Sequence, residues 1–208
     1  MKYILVLTFM FTCIYANNYK SGLEAYKNKE YKKSIELFKL SAKEGNSQAK
    51  HNLSIIYANG DGVDKNSETS MYWLKEAVKA ENSYATMTLA NMYMQGTQVE
   101  QNYSKAIELF VKEANKNNKE ALYNLGYIYS VGIATKLDNK KAIEYYTKSA
   151  DLGNVNAQIN LGFMYIAGQG TTKDMKKAAY YINKAKNLQH PKAQSLWDEF
   201  ELAQYLNK

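Results

Sequence analysis

Few residues in the chain have the type and the spacing that metal or cofactor chemistry requires. The only two histidines, His51 and His190, stand near opposite ends and belong to no His-Glu-x-x-His motif. The acidic stretch ANGDGVDKNSE lacks the ligand spacing of a calcium loop, although it contains Asp61, Asp64, Asn66 and Glu68. No glycine-rich phosphate loop is present. We therefore expect no metal site and no cofactor.

One serine has the spacing of a known nucleophile. Ser47 is followed three residues later by Lys50, as in the Ser-x-x-Lys pair of serine β-lactamases. Those enzymes also need Ser-Asp-Asn and Lys-Thr-Gly, and neither occurs in this sequence. Ala49, inside the tetrapeptide, belongs to a repeat series that already explains it. We expect no catalytic residue.

Small and apolar residues recur along the chain with a strict period of 36 residues. The clearest series are Ala49, Ala85, Ala121, Ala157 and Ala193, then Tyr57, Tyr93, Tyr129 and Tyr165, then Gly60, Gly96, Gly132 and Gly168. Several series at one period indicate a repeat array, in which each unit buries its apolar face against its neighbours.

Each repeat is predicted to fold as two helices. In the third repeat, Ala121, Leu125 and Tyr129 are four residues apart and share one helix face. Gly132 is placed to end this first helix, and Asp138 to cap the second. Equivalent caps of the second helix are expected at Asn66, Asn102 and Asp174, and Asn154 is expected to cap the first helix of the following repeat.

The repeated pattern also carries a family resemblance. A-x-x-x-L-G-x-x-Y-x-x-G, a short loop and then K-A-x-x-Y-Y-x-x-[SA]-A-x-x-G resemble the Sel1-like repeat, a relative of the tetratricopeptide repeat. The match covers about residues 45–195. It implies an all-α fold, a right-handed α-solenoid of antiparallel helix pairs. Gly126 and Gly162, beside the repeated leucine, indicate close approach of paired helices.

The pattern also predicts the domain organisation. We expect a helix pair closer to a tetratricopeptide unit at the N-terminus, and a C-terminal capping helix that begins at Pro191. The predicted segments are a signal peptide 1–16, the N-terminal pair 17–46, four Sel1-like repeats 47–82, 83–118, 119–154 and 155–190, and the capping helix 191–208.

The N-terminus has the features of a secretory signal peptide. Lys2 precedes a short apolar run that ends at Ala16, so the mature chain is expected to begin at Asn17 and to be periplasmic or secreted. The run is too short to span a bilayer comfortably, and we expect no transmembrane span in the mature chain. Cys13 is the only cysteine. Lipidation there is not expected, because Thr12 stands where a lipoprotein signal has a smaller residue.

The charge of the chain does not indicate a nucleic-acid partner. The formal net charge is +7, but all 27 basic residues are lysine and acidic residues are interleaved with them. Arginine, which nucleic-acid readers use for bidentate contacts, is absent from the sequence. We therefore expect a solvated basic surface and no nucleic-acid binding. Separately, we expect the chain to be a monomer.

A binding face is predicted on the first helices, which line the concave side in solenoids of helix pairs. Amides repeated along such a face can bond to the backbone of an extended peptide, and variable aromatic neighbours suit recognition of a protein segment. The candidate residues are Asn52, Thr88, Asn91, Tyr123, Asn124, Tyr127, Asn160 and Phe163. The alternative is structural: the Asn series satisfies hydrogen bonds between paired helices, and Tyr127 and Phe163 belong to the core.

The sequence therefore predicts a non-catalytic protein-interaction scaffold of the bacterial envelope, which binds a partner protein or peptide. Two alternatives remain open. One is a β-lactamase-like or penicillin-binding protein, because the resemblance extends to cysteine-rich secreted relatives described in those terms; this chain lacks their cysteine pairs. The other is a peptidoglycan-binding module.

Overall fold

The computed structural model describes residues 18–206, and these residues form helices and no strands. Odd-numbered helices are called first helices below and even-numbered helices second helices. The helices are α1 (18–27), α2 (Tyr31–Lys43), α3 (Ser47–Asn59), α4 (Ser67–Lys79), α5 (Ser83–Gln95), α6 (Tyr103–Ala114), α7 (Lys119–Val131), α8 (Asn139–Asp151), α9 (Val155–Ala167), α10 (Met175–Asn187) and α11 (Pro191–Glu199). The predicted all-α class of repeated helix pairs is confirmed.

The described helices pack into two compact units, which are treated separately. Unit 1 contains α1 to α4 and α5 as far as Met92, with Thr97–Val99. In unit 1, α3 packs against α2 and α4 around buried Phe38 and Leu53. Unit 2 contains Tyr93–Gly96 and the chain from Glu100 onward. There each helix packs against the next, from α6 to α11. Each unit therefore has its own apolar core.

The predicted caps set the helix boundaries. The side chains of Asn66, Asn102, Asp138, Asn154 and Asp174 each accept a hydrogen bond from a backbone N–H three residues further on, in the first turn of the helix that follows. These bonds satisfy donors that a helix N-terminus leaves unpaired. The predicted glycines end α3, α7 and α9 in the left-handed region, for example Gly132 with φ of 80°.

Two glycines permit close helix approach in unit 2, as the sequence predicts. A Cβ atom at Gly126 would lie 2.6 Å from the Tyr146 ring, and one at Gly162 would lie 2.6 Å from the Ile182 side chain. The α7–α8 and α9–α10 pairs therefore pack at a distance that no larger residue permits at these positions.

In unit 2, a lysine lies over each tyrosine that recurs with the 36-residue period. The Nζ atom lies 5.2 Å from the ring centroid for Lys105 and Tyr93, 4.1 Å for Lys141 and Tyr129, and 5.2 Å for Lys177 and Tyr165. Each lysine is in the first turn of a second helix, and each tyrosine lies in the preceding first helix. The contact therefore attaches the start of one helix to the end of its partner.

The C-terminal cap differs from the predicted single helix. Helix α11 begins at Pro191 as predicted but ends at Glu199, and Glu201 then adopts a left-handed conformation with φ of 48°. A 3-10 turn follows over Leu202–Tyr205 and packs against α10. Leu202 is fully buried, and this burial favours the reversal over a continued, exposed helix.

The N-terminal predictions concern residues that the structure does not describe. The signal peptide 1–16, cleavage after Ala16 and the state of Cys13 all lie outside residues 18–206. Within the described part of the chain, no helix combines the length and the apolar character needed to cross a membrane.

Candidate functional site

One position of the first helices exposes large side chains in both units. Ile55 in unit 1 is 40% exposed, and Tyr127 and Phe163 in unit 2 are each 43% exposed. Asn91 occupies the same repeat position and is also exposed. Because the apolar cores lie elsewhere, the structure does not place Tyr127 and Phe163 in a buried inter-repeat core. They are available for contact with another molecule.

The predicted amide series lies beside this exposed position, but its four members differ in their bonds. Asn52, Thr88, Asn124 and Asn160 are all half-buried. The Thr88 hydroxyl donates to the Tyr84 carbonyl one turn earlier, at 2.9 Å. Asn160 donates through Nδ2 to the Tyr146 hydroxyl at 3.2 Å. The series is therefore not a uniform row of free amides. The Asn160 bond joins α9 to α8 of the preceding repeat, and it is not the bond within a helix pair that the alternative described.

In unit 2, Tyr127, Asn160 and Phe163 line a cleft of about 300 Å³. Tyr127 and Ser130 of α7 and Asn160 and Phe163 of α9 line it, and Tyr146 of α8, which is 1% exposed and the most buried lining residue, defines its base. The remaining lining residues are Met164, Gln169, Lys192 and Leu196. Lys192 and Leu196 come from α11, so the capping helix also lines the cleft.

Polar groups at the base of this cleft form a connected set. The Tyr146 hydroxyl lies 3.3 Å from the Ser130 hydroxyl, which donates to the Tyr127 carbonyl at 2.9 Å. Tyr123 packs against the Tyr146 ring with centroids 5.8 Å apart. Burial is the main cause that raises the pKa of the Tyr146 hydroxyl. The hydroxyl therefore keeps its proton at neutral pH.

Unit 1 has a smaller cleft at the equivalent place. It measures about 170 Å³ and is bordered by Asn52 and Ile55 of α3, with Leu23 and Tyr26 of α1. Two repeat positions thus border a cleft in each unit. One is occupied by Asn52 in unit 1 and Asn160 in unit 2, and the other by Ile55 and Phe163. The unit 1 cleft is lined mainly by apolar side chains.

The candidate catalytic groups are engaged in local contacts. The Ser47 hydroxyl donates to Gln48 Oε1 at 3.3 Å and lies 3.5 Å from Asn82 Nδ2, and Lys50 is not among its hydrogen-bond partners in the described chain. The His51 ring stacks on Tyr84, and burial lowers its pKa. A Ser47–Lys50 pair of nucleophile and base is therefore not assembled in this conformation.

The acidic loop that superficially resembled a calcium site is used for packing. Asp61 Oδ2 accepts hydrogen bonds from the Tyr26 hydroxyl at 2.8 Å and from Asn59 Nδ2 at 3.2 Å, while Asn66 caps α4. Among residues 18–206, no three His, Cys, Asp or Glu side chains are grouped so as to hold a metal ion.

Six residues that line the unit 2 cleft were not among the sequence candidates: Ser130, Tyr146, Met164, Gln169, Lys192 and Leu196. A signal existed for Tyr146. Its repeat position is otherwise apolar, with Phe38, Leu74, Phe110 and Ile182, so it is the one member with a hydroxyl. Lys192 carried no comparable signal, because it is one lysine among 27 basic residues.

The helix pairs and their spacing define an all-α helical-repeat protein, and comparison with known families specifies which one. The Sel1 repeat model matches residues 15–46, 47–82, 83–118, 119–154 and 155–190. The chain therefore belongs to the Sel1 repeat family, whose members are commonly involved in protein–protein interaction. No curated protein matches the chain.

Two solved structures of similar proteins, with TM-scores above 0.7, have the same repeat fold. The Escherichia coli protein c5321, a protective antigen with the same repeat fold, is 28% identical with a TM-score of 0.79 over 86% of this chain; the match spans 39% of its own length. A Sel1 repeat protein from Oxalobacter formigenes is 28% identical with a TM-score of 0.77, covering 85% of this chain and 72% of that one. Helicobacter pylori cysteine rich protein B is 26% identical over 59% of this chain and 93% of that one, with a TM-score of 0.49.

Proposed function

We propose that the chain is a non-catalytic protein-binding scaffold of the bacterial envelope. It binds a segment of a partner protein on the exposed faces of its first helices. The envelope location rests on the sequence of residues 1–16, and the binding role rests on the family and on the geometry of the two clefts.

The observation that carries this proposal is the repeated exposure of apolar and aromatic side chains beside amides. Ile55, Tyr127 and Phe163 keep at least 40% of their surface in solvent although buried positions lie one turn away. Partly apolar clefts with a few polar groups are the usual form of a recognition site. Large aromatic side chains are also the residues that most often dominate binding energy at protein interfaces.

A crosslinking pulldown from periplasm tests the binding role. The wild-type chain is compared with a Tyr127→Ala, Asn160→Ala, Phe163→Ala variant whose helicity is checked by circular dichroism. We expect wild type to capture a partner that the triple variant loses, and purified components to reproduce the difference.

A matched control comes from the opposite helices. Tyr180 in the second helix α10 is 50% exposed, similar to Tyr127, so Tyr180→Ala removes an exposed tyrosine without touching the first helices. This variant should keep the partner. If Tyr180→Ala abolishes capture and the triple substitution does not, the proposal is contradicted. Binding of the chain only to isolated cell wall also contradicts it.

A further inference from the structure

The hydrogen bonds at the base of the unit 2 cleft have a defined direction. Ser130 has one hydroxyl proton and donates it to the Tyr127 carbonyl, so Tyr146 must be the donor in the pair between the two hydroxyls. The single hydroxyl proton of Tyr146 is then engaged with Ser130, so Tyr146 can only accept from Asn160. The group of Asn160 that faces the Tyr146 oxygen must therefore be its NH2, which agrees with the Nδ2 contact at 3.2 Å.

This chain of bonds orients the Asn160 amide. With one N–H directed to Tyr146, the amide oxygen and the second N–H are engaged by no residue of the described chain. A side-chain amide in this state offers one acceptor and one donor, which match the N–H and the C=O of a peptide backbone. Asn124 lacks this arrangement, because its counterpart of Tyr146 is Phe110, which has no hydroxyl.

The side chains around Asn160 provide space for an apolar side chain. Tyr127 and Phe163 flank the cleft with 43% of each residue exposed, and Met164 and Leu196 extend its apolar lining. A cavity of about 150 Å³ can already hold a benzene ring, and this cleft measures about 300 Å³. An aromatic or branched aliphatic side chain therefore fits beside the amide.

Among the residues that the structure describes, Lys192 is the only charged one that lines the cleft. Its side chain is exposed, and it forms no ion pair or hydrogen bond within residues 18–206. Asp198, on the same helix, accepts instead from Gln194 Nε2 at 2.8 and 2.9 Å. The cleft thus presents one uncompensated positive charge, which favours a carboxylate on whatever occupies it.

From these three features we infer that the unit 2 cleft binds an extended segment of another protein in which an apolar anchor residue stands next to an aspartate or glutamate. Asn160 bonds to the backbone of the segment, the anchor lies between Tyr127 and Phe163, and the carboxylate pairs with Lys192. Tyr146 and Ser130 act as positioning residues through Asn160. This inference rests on the proposed function and specifies the partner chemistry of one of its clefts.

Peptide titrations followed by NMR of the purified chain test the inference. The probe is acetyl-Asp-Phe-Asp-Gly-Ser-amide at millimolar concentration. Two further peptides serve as references, one with both aspartates replaced by lysine and one with phenylalanine replaced by glycine. We expect the acidic probe to shift the Asn160 side-chain amide signals, and both references to bind several-fold more weakly.

Single substitutions separate the three contributions. Asn160→Ala should weaken probe binding by about tenfold, since it removes two hydrogen bonds, while Asn124→Ala should change it less than twofold. Tyr146→Phe keeps the packing of the ring and should weaken binding by about threefold through loss of amide orientation. Lys192→Glu should reverse the preference between the acidic and the basic peptide. Thermal unfolding of each variant confirms that it is folded.

Several outcomes overturn the inference. They include a basic peptide that binds as tightly as the acidic probe, and an equal loss of probe binding in the Asn160→Ala and Asn124→Ala variants. Binding of a muropeptide in preference to the acidic probe, or no binding at millimolar peptide, also overturns it. The proposed function fails separately, if no partner depends on the first-helix face in the pulldown. A partner that depends on that face but is not displaced by the acidic probe contradicts only the peptide chemistry.

Discussion

The glycine beside the repeated leucine determines how closely two helices can approach. Gly126 faces the ring of Tyr146, which is 1% exposed. The same ring forms the base of the unit 2 cleft and carries the hydroxyl that bonds to Asn160. One small residue thus connects the packing of the α7–α8 pair with the geometry of the candidate site.

Gly126→Ala should lower the free energy of unfolding by about 1–2 kcal/mol. Alanine gains up to about 1 kcal/mol in helix propensity, but forcing a methyl group into a packed core costs about 1–3 kcal/mol. Val131→Ala on the same helix is the control, because Val131 is 53% exposed and should change stability by about 0.5 kcal/mol or less. Urea unfolding measures both, and a more stable Gly126→Ala variant would show that the ring can yield.

The site residues could be predicted from sequence only where their place in the repeat indicates which helix face they occupy. The exposed position of Tyr127 and Phe163 and the neighbouring amides follow from the 36-residue register. The bond from Asn160 to Tyr146 does not, because it depends on the side-chain geometry of two helices. Asn160 and Thr88 occupy the same repeat position, so the sequence pattern did not show that the Thr88 hydroxyl bonds to its own helix.

The Tyr26 hydroxyl should titrate well above the ordinary tyrosine range. Its hydrogen bond to Asp61, then burial and the Asp61 charge, raise its pKa from 10.0 to about 12. Since the folded state holds the proton more tightly, the contribution of this pair to stability is complete below pH 10 and is lost as the pH rises towards 12. NMR of ring-labelled tyrosine, assigned with Tyr26→Phe, measures the pKa. Asp61→Ala should lower it, and an unchanged value would contradict the assigned cause.

At the scale of the helix, the second helices α6, α8 and α10 are each held at their first turn by two recurring contacts. In α8 the Asp138 side chain caps the Lys141 N–H, and the Lys141 ammonium lies 4.1 Å from the centroid of the Tyr129 ring. Equivalent pairs of cap and lysine occur in α6 and α10. The sequence predicted the caps, while the lysine contact was recognised only from the structure, because lysines are common throughout the chain.

Lys141→Gln should lower the free energy of unfolding by about 0.5–1 kcal/mol, through loss of the contact with the Tyr129 ring. Lys140→Gln is a matched control, since Lys140 is the adjacent residue, is exposed and carries the same charge. It should change stability by less than about 0.5 kcal/mol. Thermal unfolding of both variants at one salt concentration provides the comparison, and equal effects would mean that charge rather than the ring contact matters.

Element boundaries followed the sequence wherever a cap or a glycine marked them, and they departed from it at the C-terminus. Residues 191–206 have a continuous helical pattern, yet the helix ends at Glu199. No glycine or proline marks this end. The turn depends on burial of Leu202 against α10, a tertiary contact that overrides local helix preference.

For the whole molecule, the proposed envelope location requires removal of residues 1–16. We expect protein isolated from periplasm to begin at Asn17, because cleavage follows the small Ala16 at the end of the apolar run. N-terminal sequencing with intact-mass measurement checks this. A chain that begins at Cys13 and carries lipid would contradict it, and a full-length chain in the cytoplasm would contradict the envelope location altogether.

The most direct test of the central claim is site-specific photocrosslinking in living cells. A photoreactive phenylalanine replaces Phe163 on the first-helix face in one variant and Tyr180 on the second helix α10 in another; the two sites are similarly exposed, at 43% and 50%. We predict a crosslink to one defined protein from position 163 and none to that protein from position 180. A crosslink from position 180 alone, or none from position 163, would contradict a binding role for the first-helix face.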